Sequence, residues 1–294
     1  MKTRIITAAV GLCILALVMV FFDTLLFEAV VALIALIAVH EIYDAFSLGE
    51  KTKHIFYGFI PYTLLLMSFG TPASIFLIPG TFLFAVYLVA CVLWQNQSLS
   101  VSKLGGMVLF SAYMLTCFFS IVFIKHQMGN VYEAMYLILL ILCFAWGGDS
   151  AAYFAGRFFG KRKLAPVVSP HKTVEGAIGG VLGSGVLGVI CTQCAVLITQ
   201  SMGALEQCRL LSYMTQFPVQ SYLIIFVVGM CCSVLGILGD LFASAVKRQC
   251  QLKDYGTIFP GHGGIMDRFD SVTLIAPLAA ILVWFVTEFL VKVS

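Results

Sequence analysis

Long apolar runs separated by short polar breaks make up most of this chain. Nine stretches approach the roughly 20 apolar residues that a helix needs to cross a bilayer: 5–22, 24–46, 54–70, 73–94, 104–124, 133–156, 174–199, 219–246 and 271–292. Helices are expected because backbone polar groups in lipid must be satisfied within their own segment. The ten-residue alternating segments of a membrane barrel do not occur. The pattern therefore predicts an all-α polytopic integral membrane protein with about nine transmembrane helices. Residues 1–130 read as a transmembrane scaffold. Residues 131–294 read as the transmembrane region that carries the chemistry. The fourth and fifth runs are plain scaffold, with Pro72 and Pro79 near one end. The seventh carries Gly176, Gly179, Gly180, Gly183, Gly185 and Gly188, and such small residues let helices pack closely in lipid.

Composition agrees with the pattern. The chain of 294 residues is 61% hydrophobic and 11% charged, with mean hydropathy +1.03, whereas a soluble domain is about 25% charged. A net charge of +3 is too small to point to nucleic acid, so membrane lipids are the expected surroundings. The ten cysteines are scattered through apolar runs, as small hydrophobes are. Cys191 and Cys194 have the spacing of a redox or metal pair, but no second pair of ligands accompanies them. Lys2 and Arg4 followed by an apolar run resemble a signal peptide. No clear small-x-small cleavage site precedes Asp23, so this segment is expected to be a retained first span.

The basic residues predict an orientation. With the N-terminus inside, 14 of the 17 Lys and Arg residues fall on the inner side. Arg157, Lys161, Arg162, Lys163 and Lys172 lie there in one loop, and Lys247, Arg248, Lys253 and Arg268 in another. Only Lys125, Arg209 and Lys292 fall outside. Both polar loops are then expected to face the cytoplasm, from the inner (cytoplasmic) membrane of the cell.

One stretch does not suit a membrane interior. Eight of the chain's 31 charged residues lie between Asp240 and Asp270. Asp240, Ser244, Lys247 and Arg248 share a helix face by spacing. Lys253 and Asp254 follow, and then Gly261, His262, Gly263 and Gly264, a run whose backbone can approach a ligand closely. Asp267 and Asp270 stand three apart. Carboxylates so placed suit a hard cation such as Mg²⁺, which binds one or two carboxylates plus substrate phosphates. A structural ion pair, a turn and helix capping are the plainer readings. A second polar set runs from Asp149 through Tyr153 and Arg157 to Ser169-Pro170-His171-Lys172-Thr173-Val174-Glu175-Gly176. It places hydroxyls, cations and an acid at the start of a Gly-rich helix, where a phosphate is favoured. Its Lys161-Arg162-Lys163 cluster also suits anionic headgroups. His40, Glu41 and Asp44 read as interfacial or packing residues. Together the two large sets fit phosphoryl or nucleotidyl transfer to a lipid, which is mostly positioning and charge neutralisation.

These residues resemble the phosphatidate cytidylyltransferases, also called CDP-diacylglycerol synthases. The resemblance rests on Ser244, Lys247-Arg248, Lys253-Asp254, Gly256, Pro260, His262-Gly263-Gly264, Asp267-Arg268 and Asp270, in order and without a gap. It extends to Asp149, Gly156-Arg157 and the 169–176 string. It is strong from about 149 to 275 and general before that. Two positions depart from the common form: Ala243 stands where many members have Glu, and Tyr255 where many have Ser. The resemblance implies a reaction of CTP with phosphatidate to give CDP-diacylglycerol and pyrophosphate for phospholipid biosynthesis. It implies Mg²⁺, with K⁺ as a second ion, around Asp240, Asp267 and Asp270. Catalytic roles would fall to these three and to Ser244, Lys247, Arg248 and Arg268. Substrate contacts would fall to Lys253, Asp254, His262, Gly263, Gly264, Ser169, Lys172, Thr173, Glu175, Asp149 and Arg157. A homodimer is compatible with it. The alternatives are an ion-coupled membrane transporter, which would spread charge through mid-span positions, or another lipid-phosphate transferase or kinase.

Overall fold

The computed structural model describes residues 2–49, 52–94, 99–259 and 263–290. Each of the nine apolar runs is largely helical over its described residues. The chain runs through α1 (Lys2–Val20), α2 (Leu25–Ala45), α3 (Lys53–Met67), a 3₁₀ turn (Pro72–Phe76), α4 (Leu77–Trp94) and α5 (Val101–Gln127). It continues through α6 (Val131–Leu142), a π turn (Cys143–Gly147) and α7 (Gly148–Phe159) to a short hairpin, β1 (Lys163–Ala165) and β2 (Ser169–Thr173). Then come α8 (Val174–Ser201), α9 (Arg209–Gln216), α10 (Pro218–Gln249), α11 (Met266–Phe269) and α12 (Val272–Phe285), which ends in a second π turn (Val286–Leu290). Among the described residues, six helical segments are long and apolar enough to cross a membrane: Leu25–Ala45, Pro72–Trp94, Val101–Gln127, Val131–Phe159, Val174–Ser201 and Pro218–Gln249. Ala9–Val20 and Val272–Glu288 are shorter apolar helices. Large apolar side chains point outward along these helices, with Ile78, Leu93 and Trp94 at 85%, 75% and 92% exposure. A surface this apolar belongs in lipid.

The chain divides into two compact units, residues 1–126 with 247–269, and residues 127–246 with 270–294. In the first unit, α2 packs chiefly on α3, and α3 on α4. Thr24 starts α2 by accepting the Leu26 N–H at 3.3 Å, the usual N-cap arrangement. Phe22, Ile42, Ile55, Phe59, Met107, Met114 and Phe118 fill the core.

In the second unit the close pair is α7 and α8. Gly179, Gly180 and Gly183 lie against Ala155, Ala152 and Ala151, where an added Cβ would collide. This is the small-residue packing that brings helix backbones together in lipid. Between α6 and α7 lies the π turn, and the Ser184 hydroxyl shares its proton between the Phe144 and Gly229 carbonyls, at 3.1 and 3.0 Å.

The hairpin departs from the all-α expectation. Its register pairs Lys163 with Thr173 and Ala165 with Ser169. Pro166 and Pro170 make the segment unsuitable for a helix, which the polar string does not show by periodicity. The cysteines also divide: all ten are free, and Cys91, Cys117, Cys208 and Cys232 are buried while Cys13, Cys194 and Cys231 are exposed.

Gly180→Leu should force α7 from α8 and lower stability by about 1–3 kcal/mol, read as a lower midpoint of thermal unfolding in detergent. Gly105→Ala, inside α5 with open space around it, should instead leave the midpoint unlowered or raise it slightly, since Ala favours a helix interior over Gly.

Candidate functional site

Two groups of polar residues stand out, one in each unit. In the first unit the 253–269 loop is held by carboxylates. Asp267 lies on the short α11, with only 6% of its surface exposed. Its Oδ1 accepts from Lys247 Nζ at 2.8 Å. Its Oδ2 accepts the backbone N–H groups of Tyr255 and Gly264 at 2.8 and 3.0 Å. Lys247, itself buried, also lies 5.5 Å from the centre of the Tyr255 ring, a cation–π distance. Tyr255, one of the two departures from the common family form, thus packs beneath the cation and against Phe110.

Glu41 completes this arrangement. Its carboxylate accepts the N–H of Ile265 at 3.0 Å and of Met266 at 2.9 Å, supplying the orphan donors at the start of α11. A Cβ at Gly256 or Gly264 would overlap the Glu41 carboxylate, and one at Gly263 would overlap Asp267. Gly263 also has φ +82°, a conformation that glycine adopts without penalty. The glycines of the motif are therefore small because two carboxylates press against them. Nothing in the sequence singles out Glu41 beyond its place next to His40. The neighbouring His40 and Asp44 pair at 3.2 Å with both side chains exposed, as an interfacial pair would. Arg248, Lys253, Asp254 and Arg268 are exposed, and Arg248 donates to the Leu252 carbonyl at 3.1 Å. His262, with Pro260 and Gly261, lies outside the described residues.

In the second unit, Asp240 on α10 accepts from Ser244 Oγ at 3.1 Å and forms an ion pair with Lys172 Nζ of β2. The pair is partly open, with 25% and 19% of the two side chains exposed. It joins the two motif segments that the sequence separates by nearly seventy positions. The hairpin that carries Lys172 is fixed at both ends. Thr173 caps α8 by accepting the Gly176 N–H at 3.1 Å. Glu175 accepts the backbone N–H of Lys161 at 2.9 Å and of Arg162 at 3.1 Å. Gly156 is required here as well, since a Cβ would reach Thr173 Oγ1 at 2.9 Å. Ser169 pairs with Ala165 in the hairpin. Asp149 lies in the first turn of α7, and the exposed Arg157 near its end reaches the Tyr153 hydroxyl at 3.4 Å. Asp270 is buried and accepts from the Ser271 N–H at 2.9 Å.

Among the described residues, no three His, Cys, Asp or Glu side chains gather into a group able to hold a metal ion. The donor chemistry nonetheless suits a hard cation. Asp240 and Asp267 each already carry a lysine ammonium, and Mg²⁺ commonly takes one or two protein carboxylates and completes its shell with phosphates and water.

Glu41→Ala should leave two buried N–H groups unpaired and cost about 1–3 kcal/mol for each. Hydrogen exchange of the Ile265 and Met266 amides checks this, with faster exchange in the variant. Glu41→Gln, which keeps one acceptor oxygen, should lie between.

The chain matches the cytidylyltransferase family over residues 2–286. A phosphatidate cytidylyltransferase of Bacillus subtilis is 37% identical over 199 residues, covering 66% of this chain and 64% of the relative. One of Haemophilus influenzae is 38% identical over 163 residues, covering 55% and 51%. One of Staphylococcus saprophyticus is 35% identical over 170 residues, covering 56% and 57%. The matched stretches thus span between half and two thirds of these relatives' own lengths. With the family match running almost from end to end, this chain belongs to the cytidylyltransferase family.

Proposed function

We propose that this protein transfers the cytidylyl group of CTP to phosphatidate, giving CDP-diacylglycerol and pyrophosphate. The observation that carries this reading is the Asp240–Lys172 pair with Ser244. It unites the two polar strings in an otherwise apolar chain, and its hydrogen-bonding partners are side chains that substrate can displace. The similarity to phosphatidate cytidylyltransferases supplies the substrates.

In the proposed reaction a phosphate oxygen of phosphatidate attacks the α-phosphorus of CTP. The new O–P bond forms as the bond from the α-phosphorus to the bridging oxygen breaks, and pyrophosphate leaves with that electron pair. The phosphatidate dianion is already a nucleophile, so a strong base is not required. Lys172, Lys247, Arg248, Lys253 and Arg268 supply positive charge for the triphosphate and the lipid phosphate. Ser169, Thr173, Glu175, Asp149, Arg157, Asp254, His262, Gly263 and Gly264 shape or contact the substrate site. Asp240, Asp267 and Asp270 are the carboxylates assigned to Mg²⁺, with K⁺ as a second ion. When bound, such an ion neutralises developing charge on the phosphates.

Nine spans, a site facing the cytoplasm and residence in the inner membrane complete the reading, supported by the 14-to-3 distribution of basic residues. A homodimer is compatible with it. A transporter would carry its ionisable groups at mid-span, whereas most of the motif charges here, Asp240 and Asp149 apart, gather near helix ends and in loops.

Incubation of purified protein with phosphatidate and radiolabelled CTP should yield a labelled lipid in the presence of Mg²⁺ and none after chelation. Asp240→Asn should lower that yield at least about 100-fold with the thermal midpoint kept. Absence of a labelled lipid from folded wild-type protein would overturn the proposal.

A further inference from the structure

A second polar cluster lies in the first unit, far along α2 from Glu41. Glu28 is 13 residues from Glu41 on the same helix, or about 20 Å at the helical rise. It has only 6% of its surface exposed. Its Oε1 accepts from Lys125 Nζ at 2.6 Å and faces His126 Nε2 at 2.9 Å. Lys125 also donates to the Thr24 carbonyl at 3.1 Å and lies over the rings of Phe22 and Phe27. The other carboxylate oxygen, Oε2, is buried with no hydrogen-bond partner. A buried orphan acceptor costs about 1–3 kcal/mol, and some donor usually meets it.

Glu28 and His126 line an open cleft of about 590 Å³ whose other walls include Leu25, Ala29, Leu64, Met67 and Pro72. A single water needs only about 30 Å³ of liquid volume, while small-molecule sites measure about 300–1,000 Å³. The cleft combines apolar walls with the Glu28 carboxylate and the His126 ring, while Lys125 pairs with Glu28 without lining the cleft. That is the complement of an amphiphile with a donor and an anion in its polar head.

We propose that this cleft binds a membrane phospholipid whose headgroup carries a hydrogen-bond donor, an ammonium or a hydroxyl. The acyl chain lies against Leu25, Ala29, Leu64 and Met67. The headgroup donor meets the Glu28 carboxylate, whose terminal torsion is soft enough to present either oxygen. The headgroup phosphate lies toward His126. The site is separate from the loops that carry the cytidylyltransferase motifs, and it stands or falls independently of the proposed reaction.

Native mass spectrometry of the full chain, offered phospholipids of matched acyl chains, tests this. Ethanolamine and glycerol headgroups have donors, and choline has none on its nitrogen. The expected result is about tenfold greater retention of a donor-bearing lipid than of the choline lipid. Retention of the ethanolamine lipid alone assigns the ammonium, and of the glycerol lipid alone the hydroxyl. Glu28→Gln should bring the preference to within about twofold. Ala29→Trp fills the cleft from an exposed position without touching the cluster and should abolish the retained lipid. Equal retention of the choline lipid, or an unchanged preference in Glu28→Gln, overturns the proposal. If Glu28→Gln does not fold, undiminished retention by Ala29→Trp overturns it.

Discussion

Carboxylates that accept backbone N–H groups, the buried Asp267, Glu41 and Glu133 and the more open Glu175, hold the polar segments of this protein in place. Loops in an apolar chain have few polar neighbours, and each unpaired buried N–H is costly. Asp267 serves Tyr255 and Gly264. Glu41 serves Ile265 and Met266. Glu175 serves Lys161 and Arg162. Glu133 serves Leu210. The glycines at 256, 263 and 264 are consequences, since they leave room for Glu41 and Asp267 to reach the backbone. A family motif rich in Asp and Gly is thus in part a recipe for a loop that stands without regular secondary structure.

That division of labour sets Asp240 apart. Its partners are the Ser244 hydroxyl and the Lys172 ammonium, and the pair remains partly open. An incoming phosphate can exchange with a side-chain partner more readily than with a backbone group that defines a loop. Lys247, by contrast, is buried between Asp267 and the Tyr255 ring. Its ammonium is held in place by the Asp267 carboxylate and the aromatic face. Tyr255 contributes a cation–π face and contact with Phe110, which the serine common in the family would lack. Ala243 is fully buried, and its small side chain is part of the packing around α10.

The helices were the most legible part of the fold, because long apolar runs carry a strong signal. Among the described residues each of the nine runs is largely helical, and six segments have the length and apolarity to cross a bilayer. The hairpin at 163–173 was not legible, since its residues mix polar and apolar without period-2 alternation and are interrupted by proline. The π turn at Cys143–Gly147 leaves no mark on an apolar run. The return of 247–269 to the N-terminal unit depends on Glu41, and a lone Glu beside a His reads as an interfacial residue. Within the candidate site, spacing predicted that Asp240 and Ser244 share a face. It could not pair Asp240 with Lys172, which is a tertiary contact between a helix and a strand.

The reaction itself is tested most directly by the fate of the individual phosphates of CTP. With purified protein, phosphatidate and Mg²⁺, label at the α-phosphorus should enter the lipid product, and label at the γ-phosphorus should leave as pyrophosphate. Label from the γ-position in the lipid would mean phosphoryl rather than cytidylyl transfer and would contradict the account.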